Sequence, residues 1–397
     1  MLIAQAGLIP ISSSISSANH CPRFRFSSSK QYIPFLVAAT MMGDDPIREW
    51  ILSEGNATKI KGVRSIGGGC INNASCYDTD AGPFFVKSNR SFGPSMFEGE
   101  AVGLNAMLET HSIRVPKPYK VGSLPTAGSY FIMEFIEFGA SKRDQSALGR
   151  KLAEMHKSSK SEMGFGFHVD NTIGSTPQIN KWTQDWIDFY AEHRLVYQLQ
   201  LAREHYADST IYQKGQKLAR NLRLLFQNVV IEPCLLHGDL WSGNIAYDKN
   251  GEPVILDPAC YCEFLILDLP TVALYHFWII SPECLLVKDQ LWNDQNTYYV
   301  YLLEENKVSK HATWPPFKEK VETDGHNEAE FGMSWCAGFG AAFYNAYFEV
   351  MHKQSGFEER KDLYMLYHYL NHYNMFGSGY RSSAMSIIDD YLRMLNL

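Results

Sequence analysis

The chain of 397 residues lacks several features that would place it in particular classes of protein. It has no run of about 20 apolar residues, which a transmembrane helix needs, so the sequence predicts no membrane partner. Positive charge is not in excess, since the formal net charge is −7, and this argues against nucleic acid as a partner. Its eight cysteines form no pair or Cys/His cluster with zinc spacing, so a reducing compartment is the expected environment.

Acidic residues are missing from residues 1–43, which hold eight serines and only three lysine or arginine residues. A serine-rich, acid-free segment is typical of an organelle transit peptide, and the excess of serine over arginine favours the plastid. We therefore expect residues 1–43 to be a disordered plastid transit peptide, which would deliver the mature chain to the chloroplast stroma. A disordered tail without a targeting role is the alternative interpretation.

The rest of the chain divides into residues 44–138, rich in strand patterns, and residues 139–397, rich in helical patterns. With 45% hydrophobic residues overall, the chain can bury a core. The expected fold class is α+β, with a β-rich N-terminal lobe and an α-rich C-terminal lobe. The predicted strands are 59–66, 74–77, 84–87 and 129–135, and the predicted helices are 45–53, 96–108, one that carries Leu148, Leu152 and Met155, a long one over 182–206, and three between 330 and 397.

A glycine-rich turn joins the first two predicted strands and consists of Gly67, Gly68, Gly69 and Cys70. Because glycine has no Cβ, such a turn lets backbone N–H groups approach a phosphate. Lys87, at the end of the third predicted strand, could also hold phosphates. Glu100, on the helix that follows, could pair with that lysine. Each signal alone is weak, since many hairpins use glycine and most lysines are solvated.

The strongest signal is the stretch HGDLWSGN at residues 237–244, followed by an apolar strand that ends in Asp257. Phosphoryl transfer needs a carboxylate that orients and deprotonates the attacking hydroxyl, and it needs oxygen ligands for Mg²⁺. Asp239 would be the base, and Asn244 and Asp257 would be the metal ligands. The spacing resembles the catalytic loop HxDxxxxN of protein kinases, with Asp-Pro in place of the DFG motif. It therefore predicts an enzyme that uses ATP and Mg²⁺.

Further motifs resemble the fructosamine kinase family, which is related to the aminoglycoside phosphotransferases, over roughly residues 44–397. The resemblance implies a two-lobed, protein-kinase-like fold. It also implies phosphorylation of the C3 hydroxyl of a ketosamine, the sugar adduct on a protein amine. Loss of the 3-phosphate then releases the amine, so the family is credited with protein deglycation. The matching stretches are HGDLWSGNIAYD at 237–248, FVK at 85–87, MFEGE at 96–100, GSTPQIN at 174–180, GHNEAE at 325–330 and YHYLNH at 367–372.

The residues themselves suggest how ATP and a substrate of this kind would be bound. The backbone of Glu134, Phe135 and Ile136 should form the hinge that binds adenine. Trp241 could lie against the sugar chain, or it could be a core residue beneath the loop. His326 and Glu328 are possible substrate contacts. Glu330 is expected to cap a helix that supports the catalytic loop.

Residues 262–324 depart from the family pattern, which runs almost directly from the segment at Tyr261 to the motif at Gly325. This stretch is apolar but broken by Asp268 and two prolines in its first half, and it is polar without a clear period in its second half. Structureless stretches of this length are uncommon inside a compact domain. We interpret it as a retained intron or gene-model error, with a genuine regulatory insertion as the alternative.

Cys70 could form a disulfide with a second copy of the chain, giving a redox-controlled homodimer, or it could be a small residue tolerated in a turn. The expected substrates are glycated protein amines or glycated lysine, and the candidate ketosamines are ribulosamine, erythrulosamine and fructosamine. Two alternatives stay open. One is a kinase of the same superfamily that acts on a free amino sugar or amino alcohol. The other is an inactive binding protein whose site is spoiled by residues 262–324.

Overall fold

The computed structural model describes residues 45–67, 71–139, 143–159, 163–261 and 327–397, which all belong to one structural unit. A β-rich lobe precedes an α-rich lobe in these residues, so the predicted α+β class is confirmed. The predicted transit peptide, Gly68 to Cys70, and the predicted insertion at 262–324 lie outside the described residues. Within the described ranges, no helix is long and apolar enough to cross a membrane.

The N-terminal lobe contains a five-stranded antiparallel sheet in the order β1-β2-β3-β5-β4. Strand β3 is central, so Lys87 lies between Ala74 of β2 and Phe131 of β5. Strand β4 was not predicted, because it is an edge strand with few apolar residues and no clean alternation. The elements are α1 (Pro46–Ser53), β1 (Ile60–Ile66), β2 (Asn73–Thr79), β3 (Pro83–Asn89), α2 (Ser95–Glu109), β4 (Pro118–Ser123) and β5 (Ser129–Glu134).

The C-terminal lobe is mainly helical, with two short hairpins that the sequence analysis predicted only in part. Its strands are β6 (Asn171–Ile173), β7 (Thr176–Gln178), β8 (Ile245–Tyr247) and β9 (Pro253–Ile255). Its helices are α3 (Gln145–Ser158), α4 (Trp186–Phe189), a π-helix (Tyr190–Val196), α5 (Tyr197–Tyr206), α6 (Ser209–Ala219), α7 (Ser334–Ala337), α8 (Ala341–Phe348), α9 (Phe357–Phe376) and α10 (Arg381–Met394), with 3-10 turns at Leu222–Phe226, Ser242–Asn244, Asn327–Met333 and Ser378–Tyr380.

The helix predicted over 182–206 begins later than expected and is not regular throughout. Asp185 is its N-cap, and the Asp185 carboxylate accepts a hydrogen bond from the backbone N–H of Asp188 at 3.0 Å. Thr183 instead pairs with Phe165 through two backbone hydrogen bonds of 2.8 Å. The π-helix inserts a wider turn after α4, which an apolar pattern with the α-helical period does not reveal.

One hydrophobic core extends through both lobes. It joins Phe97 and Leu104 of α2 and Phe131 of β5 to Leu152 of α3 and Phe343 of α8. All five side chains are fully buried. Because the core is shared, the N-terminal sheet and the C-terminal helices hold their functional residues in a fixed arrangement.

Candidate active site

Lys87 connects the two lobes through two ion pairs. Its Nζ lies 2.6 Å from Oε1 of Glu100 on α2 and 2.5 Å from Oδ1 of Asp257, which follows β9 in the C-terminal lobe. Burial lowers the pKa of Lys87, but the two carboxylates outweigh burial, so its pKa is raised and the ammonium stays charged. The structure thus brings the predicted Lys87–Glu100 pair together and adds a carboxylate from a distant part of the chain.

The carboxylate of Glu330 supports the loop at residues 237–244. The Glu330 carboxylate accepts hydrogen bonds from the backbone N–H groups of His237 at 2.7 Å and Gly238 at 3.1 Å. It also lies 3.1 Å from Nε2 of His156, which is buried on α3. The predicted helix-capping role of Glu330 is therefore wrong. Its carboxylate supports the loop directly, because it binds the loop's own backbone donors.

Gly238 cannot be replaced without disturbing this loop. Its φ is +81°, and a Cβ there would lie 2.2 Å from the carbonyl oxygen of Ala259. The loop also bonds the segment after Asp257, since the backbone N–H of Ala259 donates to the carbonyl of His237 at 2.9 Å. The two motifs recognised in the sequence are thus packed directly against each other.

Asn244 lies between Asp239 and Asp257 and contacts both residues. Nδ2 of Asn244 donates to the backbone carbonyl of Asp239 at 2.9 Å and lies 3.4 Å from both Oδ2 of Asp239 and the backbone carbonyl of Asp257. Burial, followed by the negative charge of Asp257, raises the pKa of Asp239 to about 7. Burial also raises the pKa of Glu100 to about 7, although Lys87 opposes this. Two buried carboxyl groups of the site, those of Asp239 and Glu100, thus have raised pKa values, and Asp257 lies close enough to act on both.

The donor set at this point suits a hard divalent cation. With Nδ2 of Asn244 donating to the backbone, its amide oxygen is left for a metal, and the Asp257 side chain is 54% exposed toward solvent. Carboxylate and amide oxygens are the ligands that Mg²⁺ prefers. Asn244 and Asp257 therefore fit the predicted metal ligands.

Asp257 has an unusual backbone conformation. Its φ is +54°, in the left-handed region that residues other than glycine rarely occupy. Such a conformation persists only where the surroundings impose it, and it is found most often at functional sites. The contacts on either side of Asp257 must therefore be strong enough to hold it.

The hinge and Trp241 differ from what was predicted in detail. The backbone N–H of Glu134 donates to the carbonyl of Lys117 at 2.8 Å, and its carboxylate pairs with Arg114. The N–H of Glu134 is therefore already engaged within the protein, whereas the prediction that its backbone binds adenine requires a free group. Trp241 is 39% exposed, so the alternative that it is a core residue is wrong, and its ring is accessible beside the catalytic loop.

A cavity of about 500 Å³ lies beside the hinge. It is bounded by hinge residues and by the turn that joins β8 to β9. Lys87, Asp239, Asn244 and Asp257 are not among its lining residues. The cavity therefore adjoins Phe135 and Ile136, the hinge residues predicted to bind adenine. Its lining residues are Pro83, Arg114, Glu134, Phe135, Ile136, Glu137, Asp248, Lys249 and Asn250.

Glu328 does not face the site as predicted. It is buried, and both of its carboxylate oxygens are bound by Arg360, at 2.7 Å from Nε and 2.6 Å from Nη2. A substrate contact would require an accessible oxygen, so that prediction is wrong. His326 lies outside the described residues.

Replacement of Arg360 by leucine should destabilise the fold without altering substrate binding. Glu328 would be left buried and unpaired, which costs about 3–5 kcal/mol of the free energy of unfolding. Urea denaturation measures this loss. Arg393→Leu is the control, because its pair with Asp390 is exposed and should contribute no more than about 1 kcal/mol. Unchanged stability together with a raised KM for the substrate would restore the prediction that Glu328 contacts the substrate.

Sequence reasoning missed His156 entirely. The residue follows Leu152 and Met155 on the apolar face of α3, so the pattern alone suggests a core position. In the structure its Nδ1 lies 2.6 Å from the Tyr347 hydroxyl and its Nε2 lies 3.1 Å from Glu330. It thereby holds the carboxylate that supports the catalytic loop, a role visible only once distant residues are brought together.

The chain has the two-lobed architecture of phosphotransferases with a protein-kinase-like fold, in which Lys87 of the central strand connects the lobes. The chain belongs to the fructosamine kinase family, because the family model described as Fructosamine kinase matches residues 42–276 and 322–394. The stretch left unmatched, 277–321, falls within the predicted insertion and is shorter than it.

Curated relatives agree with this assignment. The chain is 61% identical over 362 residues to the chloroplastic protein-ribulosamine 3-kinase of Arabidopsis thaliana, covering 91% of this chain and 92% of that one. It is 32% identical over 356 residues to the ketosamine-3-kinase of Mus musculus, covering 83% and 95%. A crystal structure described as a fructosamine-3-kinase of Haemophilus somnus aligns with a TM-score of 0.62 at 21% identity, covering 84% and 92%, which supports the fold.

Proposed function

We propose that this protein is an ATP- and Mg²⁺-dependent kinase that phosphorylates the C3 hydroxyl of ketosamines on protein amines. The observation that carries the proposal is the meeting of Asp239, Asn244 and Asp257 with the Lys87–Glu100 pair. Relatives of 61% and 32% identity are named as kinases of ribulosamine and ketosamine. Deglycation follows when the 3-phosphate is eliminated and the amine is released.

In the proposed reaction, Asp239 accepts the proton of the C3 hydroxyl while the hydroxyl oxygen attacks the γ-phosphorus of ATP. A new O–P bond forms, the bond from the γ-phosphorus to ADP breaks, and ADP leaves with the electron pair. The raised pKa of Asp239 suits a group that takes up a proton near neutral pH. Lys87 binds ATP phosphates. Asn244 and Asp257 would hold Mg²⁺, which would supply positive charge to neutralise the phosphates.

The location follows from the same relatives and from the composition of the first residues. The relative from Arabidopsis thaliana is named as chloroplastic. Residues 1–43 of this chain are rich in serine and free of acid, as expected of a plastid transit peptide. We therefore place the enzyme in the plastid stroma, where its substrates are glycated protein amines.

The proposal is tested by incubating ribulosyl-lysine with the full chain, ATP and Mg²⁺, and following the product by ³¹P NMR and mass spectrometry. A 3-phosphate on the ketosamine is the expected product. Free amino sugars and amino alcohols are assayed in parallel, and phosphorylation of these alone would favour the small-molecule kinase. An absence of ATP turnover would favour the inactive protein, and a variant that lacks residues 262–324 then shows whether that stretch is the cause.

Removing the ring of Trp241 should weaken binding of the ketosamine specifically. Trp241→Ala is expected to raise the KM for ribulosyl-lysine about tenfold, since the loss of an aromatic face costs about 1 kcal/mol or more. The KM for ATP should not change. Trp241→Phe keeps an aromatic face and should recover most of the affinity in the same steady-state assay. Equal KM values for all three proteins would exclude Trp241 from the substrate site.

We also retain the proposal that Cys70 links two chains through a disulfide and so closes the nucleotide site under oxidation. The residue directly follows the triple glycine of the turn that would approach phosphate. An oxidised sample should then migrate as a dimer on a non-reducing gel, and reductant or Cys70→Ala should abolish that band. Cys336→Ala is the control and should leave the dimer intact. A dimer that survives Cys70→Ala assigns the link to another cysteine.

A further inference from the structure

The β6–β7 hairpin lies between helix α2 of the N-terminal lobe and the segment that follows Asp257. On one side it packs closely on α2, where a Cβ at Gly99 would lie only 2.6 Å from Cβ of Asn171. On the same face of α2, a Cβ at Gly103 would lie 2.7 Å from Sγ of Cys260. Glycine at these two positions therefore lets α2, which carries Glu100, approach both the hairpin and the segment.

On its other side the hairpin binds the segment through buried amides. Nδ2 of Asn171 donates to the carbonyl of Cys260 at 2.7 Å, and Nε2 of Gln178 donates to the carbonyl of Ala259 at 3.0 Å. The two side chains also bond each other, from Nε2 of Gln178 to Oδ1 of Asn171, at 2.9 Å. The Tyr367 hydroxyl donates to Oε1 of Gln178 at 2.6 Å. Because these buried polar groups are paired with one another, the network fixes both the distance and the orientation of the hairpin relative to the segment after Asp257.

The end of the hairpin is anchored in turn by Arg194, which projects from the π-helix. Its Nη1 donates to the carbonyl of Ile179 and its Nη2 to Oδ1 of Asn180, both at 2.7 Å. The Arg194 guanidinium lies 4.2 Å from the centre of the Tyr261 ring. Both the hairpin and the segment are thus tied to the same fully buried side chain.

The two elements that the hairpin contacts carry the two partners of Lys87. The ammonium of Lys87 requires Glu100 and Asp257 at a spacing that lets it reach both carboxylates. Glu100 moves with α2, which rests on the hairpin, and Asp257 moves with the segment whose carbonyls the hairpin binds. The same segment must also keep Asp257 in its left-handed conformation. Within the described residues, the hairpin therefore contacts both α2, which carries Glu100, and the segment that follows Asp257.

From this placement we infer that Asn171 and Gln178 are positioning residues, which set the spacing between Glu100 and Asp257 before ATP and metal bind. The inference rests on the proposed function, because it concerns the same nucleotide and metal site. It adds a specific consequence: the affinity for Mg²⁺ and ATP depends on two amides that touch neither ligand directly. Binding of the ketosamine should not depend on them.

The first test is Gln178→Met, which keeps the length of the side chain but removes both of its hydrogen-bond donors. Calorimetric titration of the full chain with a non-hydrolysable ATP analogue in the presence of Mg²⁺ should show affinity weakened about 10- to 100-fold, as expected for partners of metal ligands. Analogue binding without Mg²⁺ should change much less. Gln198→Met is the matched control, because Gln198 is equally buried but bonds Asn371, Asn374 and Tyr367 rather than the carbonyls that follow Asp257.

The second test is Gly99→Ala, which leaves the amides intact and alters only the packing on α2. Alanine favours a helix more than glycine does, so weaker Mg²⁺-ATP binding would come from the new Cβ, which approaches Asn171 and the carbonyl of Asp170. Gly62→Ala is the control, since a Cβ at Gly62 meets nothing within 4 Å. Gly99→Ala is the decisive variant if Gln178→Met does not fold.

Wild-type affinity for Mg²⁺-ATP in folded Gln178→Met, or in Gly99→Ala if Gln178→Met does not fold, would overturn the inference. Failure of the proposed function gives a different pattern. In that case the wild type would not phosphorylate ribulosyl-lysine, whereas the calorimetric differences between Gln178→Met and Gln198→Met would still report on the positioning role. A KM for ribulosyl-lysine that rises as much as the constant for Mg²⁺-ATP would also overturn it, because it would indicate general disruption.

Discussion

Replacement of Asp239 by asparagine is expected to lower kcat for ketosamine phosphorylation by about 10²- to 10⁴-fold, the usual contribution of a positioned general base. Asparagine has nearly the same shape and can stay beside Asn244, so the loop held by Glu330 should keep its conformation. What is lost is the ability to accept the proton of the C3 hydroxyl. Steady-state rates with ribulosyl-lysine measure kcat, and calorimetry should show little change in ATP affinity.

Asp248→Asn is the matched control for this variant. Asp248 lies in the turn between β8 and β9, where its carboxylate accepts backbone hydrogen bonds from Asn250 at 2.8 Å and Glu252 at 3.0 Å. It should therefore leave kcat unchanged. If Asp239→Asn turned over at a rate near that of the wild type, Asp239 would lose its assigned role as the base.

Removal of the Asp257 carboxylate should abolish turnover at every Mg²⁺ concentration. Asp257→Ala would remove the exposed carboxylate proposed to hold Mg²⁺ and one of the two partners of Lys87. Asn244→Ala removes a neutral ligand, so its activity should be partly restored by more Mg²⁺. Initial rates across a series of Mg²⁺ concentrations distinguish the two variants.

Asp257→Gly separates the loss of the carboxylate from any disturbance of the backbone. Glycine adopts a φ of +54° without strain, so this variant should unfold at a urea concentration no lower than that of Asp257→Ala. It should nevertheless be as inactive as the alanine variant. If either variant kept wild-type activity, the kinase assignment of this site would have to be abandoned.

Local motifs were enough to predict most of the residues that the structure brings together at the candidate site. Lys87 follows three apolar residues in β3, Glu100 lies on the next helix, and Asp239 and Asn244 lie in one short loop, so each position could be predicted from a few neighbours. The contact of Lys87 with Asp257 could not, because 170 residues separate the pair along the chain. Likewise, the pattern around His156 resembles that of any buried helix face.

The acidic residues near position 330 show why the remaining predictions failed. Glu328 and Glu330 are acidic residues only two positions apart in the sequence. In the structure, however, Glu328 pairs with Arg360 of α9, whereas Glu330 binds the backbone of the catalytic loop. Charge patterns do not state which partner a buried carboxylate will find. The predicted start of the helix near Trp186 was wrong for a similar reason, because Thr183 forms backbone hydrogen bonds with Phe165 in a separate segment.

The hydrophobic core that runs through both lobes has a consequence for how the enzyme unfolds. If the chain ended near residue 138, Phe97, Leu104 and Phe131 would lose the side chains of α3 and α8 that cover them. Such an exposed apolar face favours aggregation over an autonomous fold. The N-terminal sheet and the C-terminal helices should therefore lose structure in one cooperative transition, so that the nucleotide-binding half cannot melt independently while the catalytic half survives.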